Sequence, residues 1–324
     1  MPRYLAVWLL GLLLLSTPAL ALEMGIVTGN PEGTYYQIGV DIRKVVSRYD
    51  INLNVRPSAG SIANVHSIYK EPGVQLGIVQ SDVLAFIQQV SDNQELKPIA
   101  QKTKMVFPLY NEEVHLLAIS DIKQFADLEG KIVAVGPENS GTYMTASFLF
   151  HLSEIKPKQL RTIGGREAID ALKKGQIDAM FYVAGHPIAL LQQSVSTDDK
   201  LHLVPITHKS LTEFYPTSQI PAGTYGWQAE DIDTIAVKAV LISFDYKGEN
   251  CGNVGLLAKI LAENLDWLQQ NGHPKWKTVD FGNSLKKWEQ YGCVRQALAS
   301  GARISSGTKA DDPILEALRK QLGK

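Results

Sequence analysis

Short clusters of glycine, serine, threonine and asparagine recur along the chain: Gly33-Thr34-Tyr35, Ser58-Ala59-Gly60-Ser61, Gln80-Ser81-Asp82, Asn139-Ser140-Gly141-Thr142 and Ala184-Gly185. Each follows a short apolar run and precedes an amphipathic one. At such a place the first N–H groups of a helix are unpaired and carry the positive end of its dipole. Several such starts converging can hold an anion without lysine or arginine. Any one cluster alone reads simply as an N-cap, because Ser, Thr, Asn and Asp start helices in every kind of protein. All five together point to a cleft.

Side chains spaced for bond-breaking chemistry are harder to find. The seven histidines stand at 66, 115, 151, 186, 202, 208 and 273, with no HExxH and no paired spacing of the zinc type. No metal site and no cofactor is expected. Ser140 lacks the GxSxG frame of a nucleophile elbow, since Gly136-Pro137-Glu138-Asn139-Ser140-Gly141 has the wrong register. His186, between Gly185 and Pro187, reads as a helix-start residue. Glu112 and His115 lie three apart in an extended stretch, which puts them on opposite faces in regular β geometry, so they read as hinge or interface positions.

The elements that must carry the clusters alternate between short strand and amphipathic helix. Met24 to Thr28 is a strand and Thr34 to about Arg48 a helix, with Ile38, Ile42, Val45 and Val46 at helical spacing. Ile51 to Arg56 alternates as a strand, a helix runs from Ser61 to about Tyr69, Gln75 to Val79 is a strand and Ser81 opens another helix. Such repetition means a parallel sheet covered by helices. Val106 to Ser120 is extended and long enough to pass from one lobe to another. The unit then recurs: strand Lys131 to Val135, helix Thr142 to Ser153, amphipathic Arg166 to Lys174, buried strand Ile177 to Val183, and a last strand Leu201 to Ile206. A Pro/Gly loop from Tyr215 to Gly226 leads to Ile235 to Ser243, a strand crossing back. Val254 to Gln269, Ser284 to Leu298 and Asp312 to Leu322 are helical by period, and Ser305 to Asp311 is loose.

At 324 residues, two lobes are the natural expectation. With 32 basic against 33 acidic side chains there is no bulk basic charge for a nucleic-acid groove, and nucleic acid is not an expected partner. Arg3, the apolar run Leu5 to Leu15, Pro18 and Ala19-Leu20-Ala21 have the pattern of a signal peptide, residues 1–21, cleaved after Ala21. An uncleaved anchor is the alternative, but the run is shorter than the roughly 20 apolar residues that span a bilayer. The mature chain is expected to be soluble and periplasmic. Cys251 and Cys293 match neither a CxxC pair nor a zinc ribbon, and that compartment favours one disulfide; two unrelated buried thiols are the other reading. The tryptophans 227, 267, 276 and 288 read as core rather than as ligand stackers.

This constellation resembles the TAXI family of solute receptors, the extracytoplasmic binding components of TRAP transporters. The matching residues are Gly33-Thr34-Tyr35-Tyr36 with Ile38-Gly39, Ser58-Ala59-Gly60-Ser61 with Asn64, Leu76 to Asp82, and Tyr110-Asn111-Glu112 with His115. Gly136 to Thr142, Gly164-Gly165, Phe181 to Pro187 and Pro221 to Tyr225 follow in the family's order. The resemblance runs from Met24 to about residue 245 and leaves out the helical tail.

The resemblance implies an α/β, two-lobed type II periplasmic-binding-protein fold with hinge strands, here with a C-terminal helical extension. Lobe I would take residues 22–116 and 207–324, and lobe II residues 117–206. A monomer would close on a small organic anion, a dicarboxylate or an amino acid such as glutamate, glutamine or 2-oxoglutarate, and deliver it to a TRAP-type membrane permease. The hinge would lie near residues 110–120 and 206–240. The binding positions would be Thr34, Tyr35, Ser58, Gly60, Ser61, Gln80, Asp82 and Tyr110 from lobe I, and Asn139, Ser140, Gly141, Thr142 and Ala184 from lobe II. The Thr34, Ser61 and Thr142 hydroxyls would hold carboxylate oxygens, Gly60 and Gly141 would let the backbone approach, and Tyr35 and Tyr110 would wall the carbon chain. Asp82 would either pair with an α-ammonium, favouring an amino acid, or only sit in the first turn of its helix. Two other functions remain compatible with the sequence. One is dehydratase-like chemistry on small acids with Glu112 or Asp82 as base; the other is a sensory binder that docks a signalling receptor.

Overall fold

The computed structural model describes residues 21–283, 285 and 288–299. The signal peptide expected at residues 1–21, apart from Ala21, the segment 305–311 and the helix expected at 312–322 lie outside the described residues.

The first part of the chain builds β1 (Leu22–Val27), α1 (Thr34–Val46), β2 (Ile51–Arg56), α2 (Ser61–Lys70), β3 (Leu76–Gln80), α3 (Ser81–Gln89) and α4 (Leu96–Gln101). The long strand β4 (Thr103–Ala118) leads to β5 (Ile132–Ala134), α5 (Gly141–Ser153), β6 (Gln159–Arg161), α6 (Gly165–Lys173), β7 (Ala179–Ala184) and α7 (Ala189–Ser194). Then come β8 (His202–Leu203), α8 (Lys209–Thr212), β9 (Thr217–Ile220), the second long strand β10 (Ile232–Phe244), and α9 (Glu249–Glu263), α10 (Leu265–Asn271) and α11 (Gly292–Ala299).

The strands form one sheet in the order β2-β1-β3-β10-β4-β7-β5-β6, with β8 beside β4 and β9 beside β10. β1, β2 and β3 are mutually parallel at one end, and β5, β6 and β7 at the other. β4 and β10 lie antiparallel between them and serve both ends. The later half of β10 pairs with β3 through Ala239 to Ser243, and the later half of β4 pairs with β7 through Glu113 to Ala118.

Burial follows position in this order. The edge strand β2 alternates, with Ile51, Leu53 and Val55 inside, whereas β3 is buried throughout. At the β1 end, one face packs α1 and the C-terminal helices in a cluster with Ile38, Ile42, Leu257 and Trp276. The opposite face packs α2, α3 and α4 through Val65, Leu84 and Ile99. The β6 end has its own two clusters, around Phe125, Leu149 and Phe181 on one face and Ile169, Leu172 and Leu190 on the other.

The tail departs from its helical reading. Asn264 leaves helical geometry and its amide binds the Ile260 carbonyl and the Tyr49 hydroxyl, so 254–269 is two helices rather than one. Before α11, Gln290 and Tyr291 run alongside β4 instead of coiling, with Tyr291 N donating to Met105 O at 2.7 Å. The loop 215–226 contains β9, hydrogen-bonded to β10. Trp276 is fully buried, Trp227 stacks on Tyr225, and Arg48 lies over Trp267. No helix among the described residues is long and apolar enough to cross a membrane.

Cys251 in α9 and Cys293 in α11 form a disulfide, their Cα atoms 5.6 Å apart and 42 residues apart in sequence. It closes the tail onto itself. A loop of that length implies about 3–4 kcal/mol from restricting the unfolded chain. The double variant Cys251→Ser/Cys293→Ser is expected to lose about that much in denaturant unfolding. A thiol assay on the denatured, unreduced protein should find no free thiol.

Candidate ligand-binding site

A cavity of about 170 Å³ opens where the carboxyl ends of the parallel strands from both ends of the sheet face one another. Its wall comes from the loops after β1, β2, β5 and β6, from Gln80 at the end of β3, Glu112 on β4 and residues 181–184 on β7. This is where open α/β sheets gather ligands.

Four helices start at this wall. α1, α2 and α6 begin after Gly33, Gly60 and Gly164 with no side chain capping them, so their first N–H groups stay available, apart from Ala63 N on α2, which donates to Asn139 O at 3.3 Å. Only α5 is capped, by Ser140 Oγ accepting from Tyr143 N at 3.1 Å. Of the five clusters, the N-cap explanation therefore holds at Ser140 and not at Gly33-Thr34-Tyr35 or Ser58-Ala59-Gly60-Ser61; Gln80-Ser81-Asp82 starts α3 without a side-chain cap, and Ala184-Gly185 starts no helix. Gly60 takes a left-handed φ of 123°, which favours glycine. A Cβ on Gly141 would lie 2.0 Å from Gln80 Oε1 and 2.7 Å from Ser61 Oγ. Here glycine lets the start of α5 pack against β3 and α2, so it serves the contact between the two walls as well as access to the backbone.

The hydroxyls differ in what they can still offer. Thr34 Oγ1 donates to Gly185 O at 2.5 Å, tying the start of α1 to the loop after β7, so its proton is spent. Thr142 Oγ1 accepts from Val183 N at 3.1 Å and keeps a proton to donate, whereas Ser61 Oγ accepts from Gln80 N at 3.0 Å and turns its proton toward the Tyr35 oxygen. Ser58 Oγ is 2.6 Å from Asn64 Oδ1 and accepts from Gly60 N at 3.0 Å, which shapes the turn into α2. At the rim, Arg166 on α6 forms an ion pair with Glu32, bridging the two sides.

Thr34, Tyr35, Ser58, Gly60, Ser61, Gln80, Ser140, Gly141, Thr142 and Ala184 line the cavity. Asp82, Tyr110 and Asn139 do not. Asp82 sits in the first turn of α3 and points behind the wall, where its carboxylate accepts from Thr145 Oγ1 at 2.9 Å and Tyr215 OH at 3.4 Å. Its place is that of a first-turn acid rather than of a ligand reader. Tyr110 is fully buried, its ring packed against Gly185, and it walls no part of the cavity. Asn139 is exposed and contributes only its carbonyl, accepting from Ala63 N at 3.3 Å.

Glu112 is the acid that does face the cavity. It is 1% exposed, and Tyr35 OH donates to its Oε1 at 2.7 Å. Burial holds its pKa well above the usual carboxylate range, and the charges of Asp82 and Glu113 push the same way; hydrogen bonds from Tyr35 and Gln80 oppose them. The signal for it was present in the sequence: two acids inside the apolar run 105–118 must find a buried polar environment. His115 has other partners, Tyr225 OH at 2.9 Å and Glu113 O at 2.9 Å, and burial lowers its pKa to about 3. His186 does not start a helix; it precedes Pro187 through a cis peptide in the loop before α7. Gly164-Gly165, Gly136-Pro137, Tyr182 and Asn30 also line the cavity. Their glycines and turns were legible, but not their direction.

Residues 26–288 match the model of the NMT1-like family. Among solved structures, the periplasmic binding protein BugD is similar over 92% of this chain and 96% of its own, with 11% identity and a TM-score of 0.53. A protein of Bordetella bronchiseptica RB50 is similar over 94% of this chain and 98% of its own, with 13% identity and a TM-score of 0.50. A structure described as a periplasmic transporter is similar over 79% and 88%, with 15% identity and a TM-score of 0.50. The fold is thus that of periplasmic binding proteins, α/β with a C-terminal helical addition.

Proposed function

Since the chain belongs to the NMT1-like family, we propose that it is an extracytoplasmic solute receptor of the TAXI kind that captures a small organic anion and delivers it to a TRAP-type permease. The observation that carries this reading is the convergence of four helix starts, three of them uncapped, on one cavity whose described lining has no Lys, Arg or His. Such a wall offers N–H groups and hydroxyl protons to carboxylate oxygens. The size suits a dicarboxylate or an amino acid.

In this reading one lobe holds residues 22–116 with the later half of β10 and the described tail, and the other holds residues 117–206 joined by Leu211, Tyr215, Ile220 and Tyr225, which pack in its clusters rather than in lobe I, where the sequence had placed them. β4 and β10 are the hinge strands, because they are the elements that serve both ends of the sheet. Closure excludes water and strengthens the dipole contacts, and the ligand favours the closed state by its differential affinity for it. In this reading the chain binds without turnover: no described histidine lines the wall to serve as a base for Ser140.

Thermal unfolding of ligand-stripped protein against glutamate, glutamine, 2-oxoglutarate, C4-dicarboxylates, sugars and phosphate tests the reading. A ligand at about 100 times its Kd adds about 2.7 kcal/mol and raises the midpoint. A shift confined to one or two carboxylates supports the receptor; a shift with sugars alone, or with nothing, refutes it.

A further inference from the structure

Glu112 is the only carboxyl group among the described residues lining the cavity, and no cationic side chain accompanies it there. The groups whose charge or polarity reaches it come from every side: Tyr35 on α1, Gln80 at the end of β3, Asp82 on α3, Tyr110 and Glu113 on β4, Tyr182 on β7, and Lys275 from the tail. Lys275 is already committed to Glu113, with Nζ 2.7 Å from its Oε1. Four helix starts draw a carboxylate into this small space, and an ionised Glu112 would repel it through a low-dielectric interior. The conflict disappears if the carboxyl keeps its proton.

Resting on the receptor reading above, we propose that Glu112 acts as a neutral carboxylic acid that accepts the Tyr35 hydroxyl and donates its own proton to an oxygen of the bound anion. This makes it the specificity residue of the site. An anion with a keto or second carboxylate oxygen at that point gains a hydrogen bond, whereas an ammonium there meets a donor and no charge partner. The direction of its pKa shift agrees: burial holds the acid form. The sign of the pH effect follows. The neutral form binds, so affinity is full below the pKa Glu112 has in the empty protein. Above it, affinity falls toward about tenfold per pH unit, each bound anion then taking up one proton.

The test uses 2-oxoglutarate and L-glutamate, which share a carbon skeleton and two carboxylates and differ at one carbon, against wild type and Glu112→Gln. Gln keeps the volume, an acceptor for Tyr35 and a donor for the ligand, but cannot ionise. Wild type is expected to bind 2-oxoglutarate at least about tenfold more tightly than glutamate, and Glu112→Gln to keep that affinity within about threefold, without pH dependence. The unliganded wild type should show the infrared band of a protonated carboxylic acid that the Gln variant lacks. A preference for glutamate, or a loss of more than about tenfold in Glu112→Gln with its fold intact, overturns the proposal. So does absence of the infrared band. Because that band is read without ligand, the protonation of Glu112 is judged separately from the receptor reading, which fails if no anion binds wild type.

Discussion

Phe in place of Thr142 is expected to lower ligand affinity by at least about a hundredfold, equivalent to about 2.7 kcal/mol, while the protein stays folded. Thr142 stands in the first turn of α5, half-buried only because it borders the cavity. The loop after β5 is already tight behind it, since a Cβ on Gly136 would lie 3.1 Å from that of Thr142. A ring at 142 therefore extends into the space the ligand takes. The fold loses one hydrogen bond, because Val183 N gives up its acceptor at Thr142 Oγ1. That costs about 1–3 kcal/mol. Thr142→Ser keeps the hydroxyl and should bind within about threefold of wild type. Titration of both variants alongside urea unfolding separates the two effects; undiminished affinity in Thr142→Phe would remove α5 from the ligand contacts.

Lys275→Met is expected to destabilise the protein by about 3–5 kcal/mol in urea unfolding. Lys275 and Glu113 form a buried pair, their side chains 6% and 2% exposed. Glu113 also accepts from Ser218 Oγ at 3.2 Å, yet Met leaves its carboxylate without the cation that balances it. The neighbours in this segment add to its grip: Asp41 Oδ2 on α1 accepts from His273 N at 2.7 Å and Trp276 Nε1 at 3.1 Å, and His273 Nε2 lies 3.0 Å from Pro187 O. The tail thus joins α1, β4 and the loop after β7. Adding Glu113→Gln to Lys275→Met should recover much of the loss, since no unpaired charge then remains buried. A single variant as stable as wild type would mean that the pair contributes nothing.

The sequence carried the fold through periodicity and turn chemistry. The buried run of β3, the alternation of β2 and the helical spacing of Ile38, Ile42 and Val45 each have one structural reading, and their order implies parallel strands at both ends. The glycine and hydroxyl clusters marked the strand ends, and most of them do face one cavity. Direction was the part the sequence could not supply. β4 is buried on both faces, so the acids in its apolar run signalled a buried polar place but not that Glu112 faces the cavity while Tyr110 packs into the core against Gly185. Asp82 starts a helix whose first turn points behind the wall, and only tertiary packing against Thr145 and Tyr215 decides that. In the tail, the helical spacing held in α11, but at Gln290 and Tyr291 it gave way to pairing with β4, including the backbone bond from Tyr291 N to Met105 O, a long-range contact that local pattern does not encode.

Calorimetric titration of the ligand-stripped protein with the anion that raises its melting point most tests the central claim directly. The account predicts one anion bound per chain, recovered chemically unchanged, with binding lost in Thr142→Phe. No saturable binding by any small carboxylate, or conversion of the bound acid into product, would contradict it.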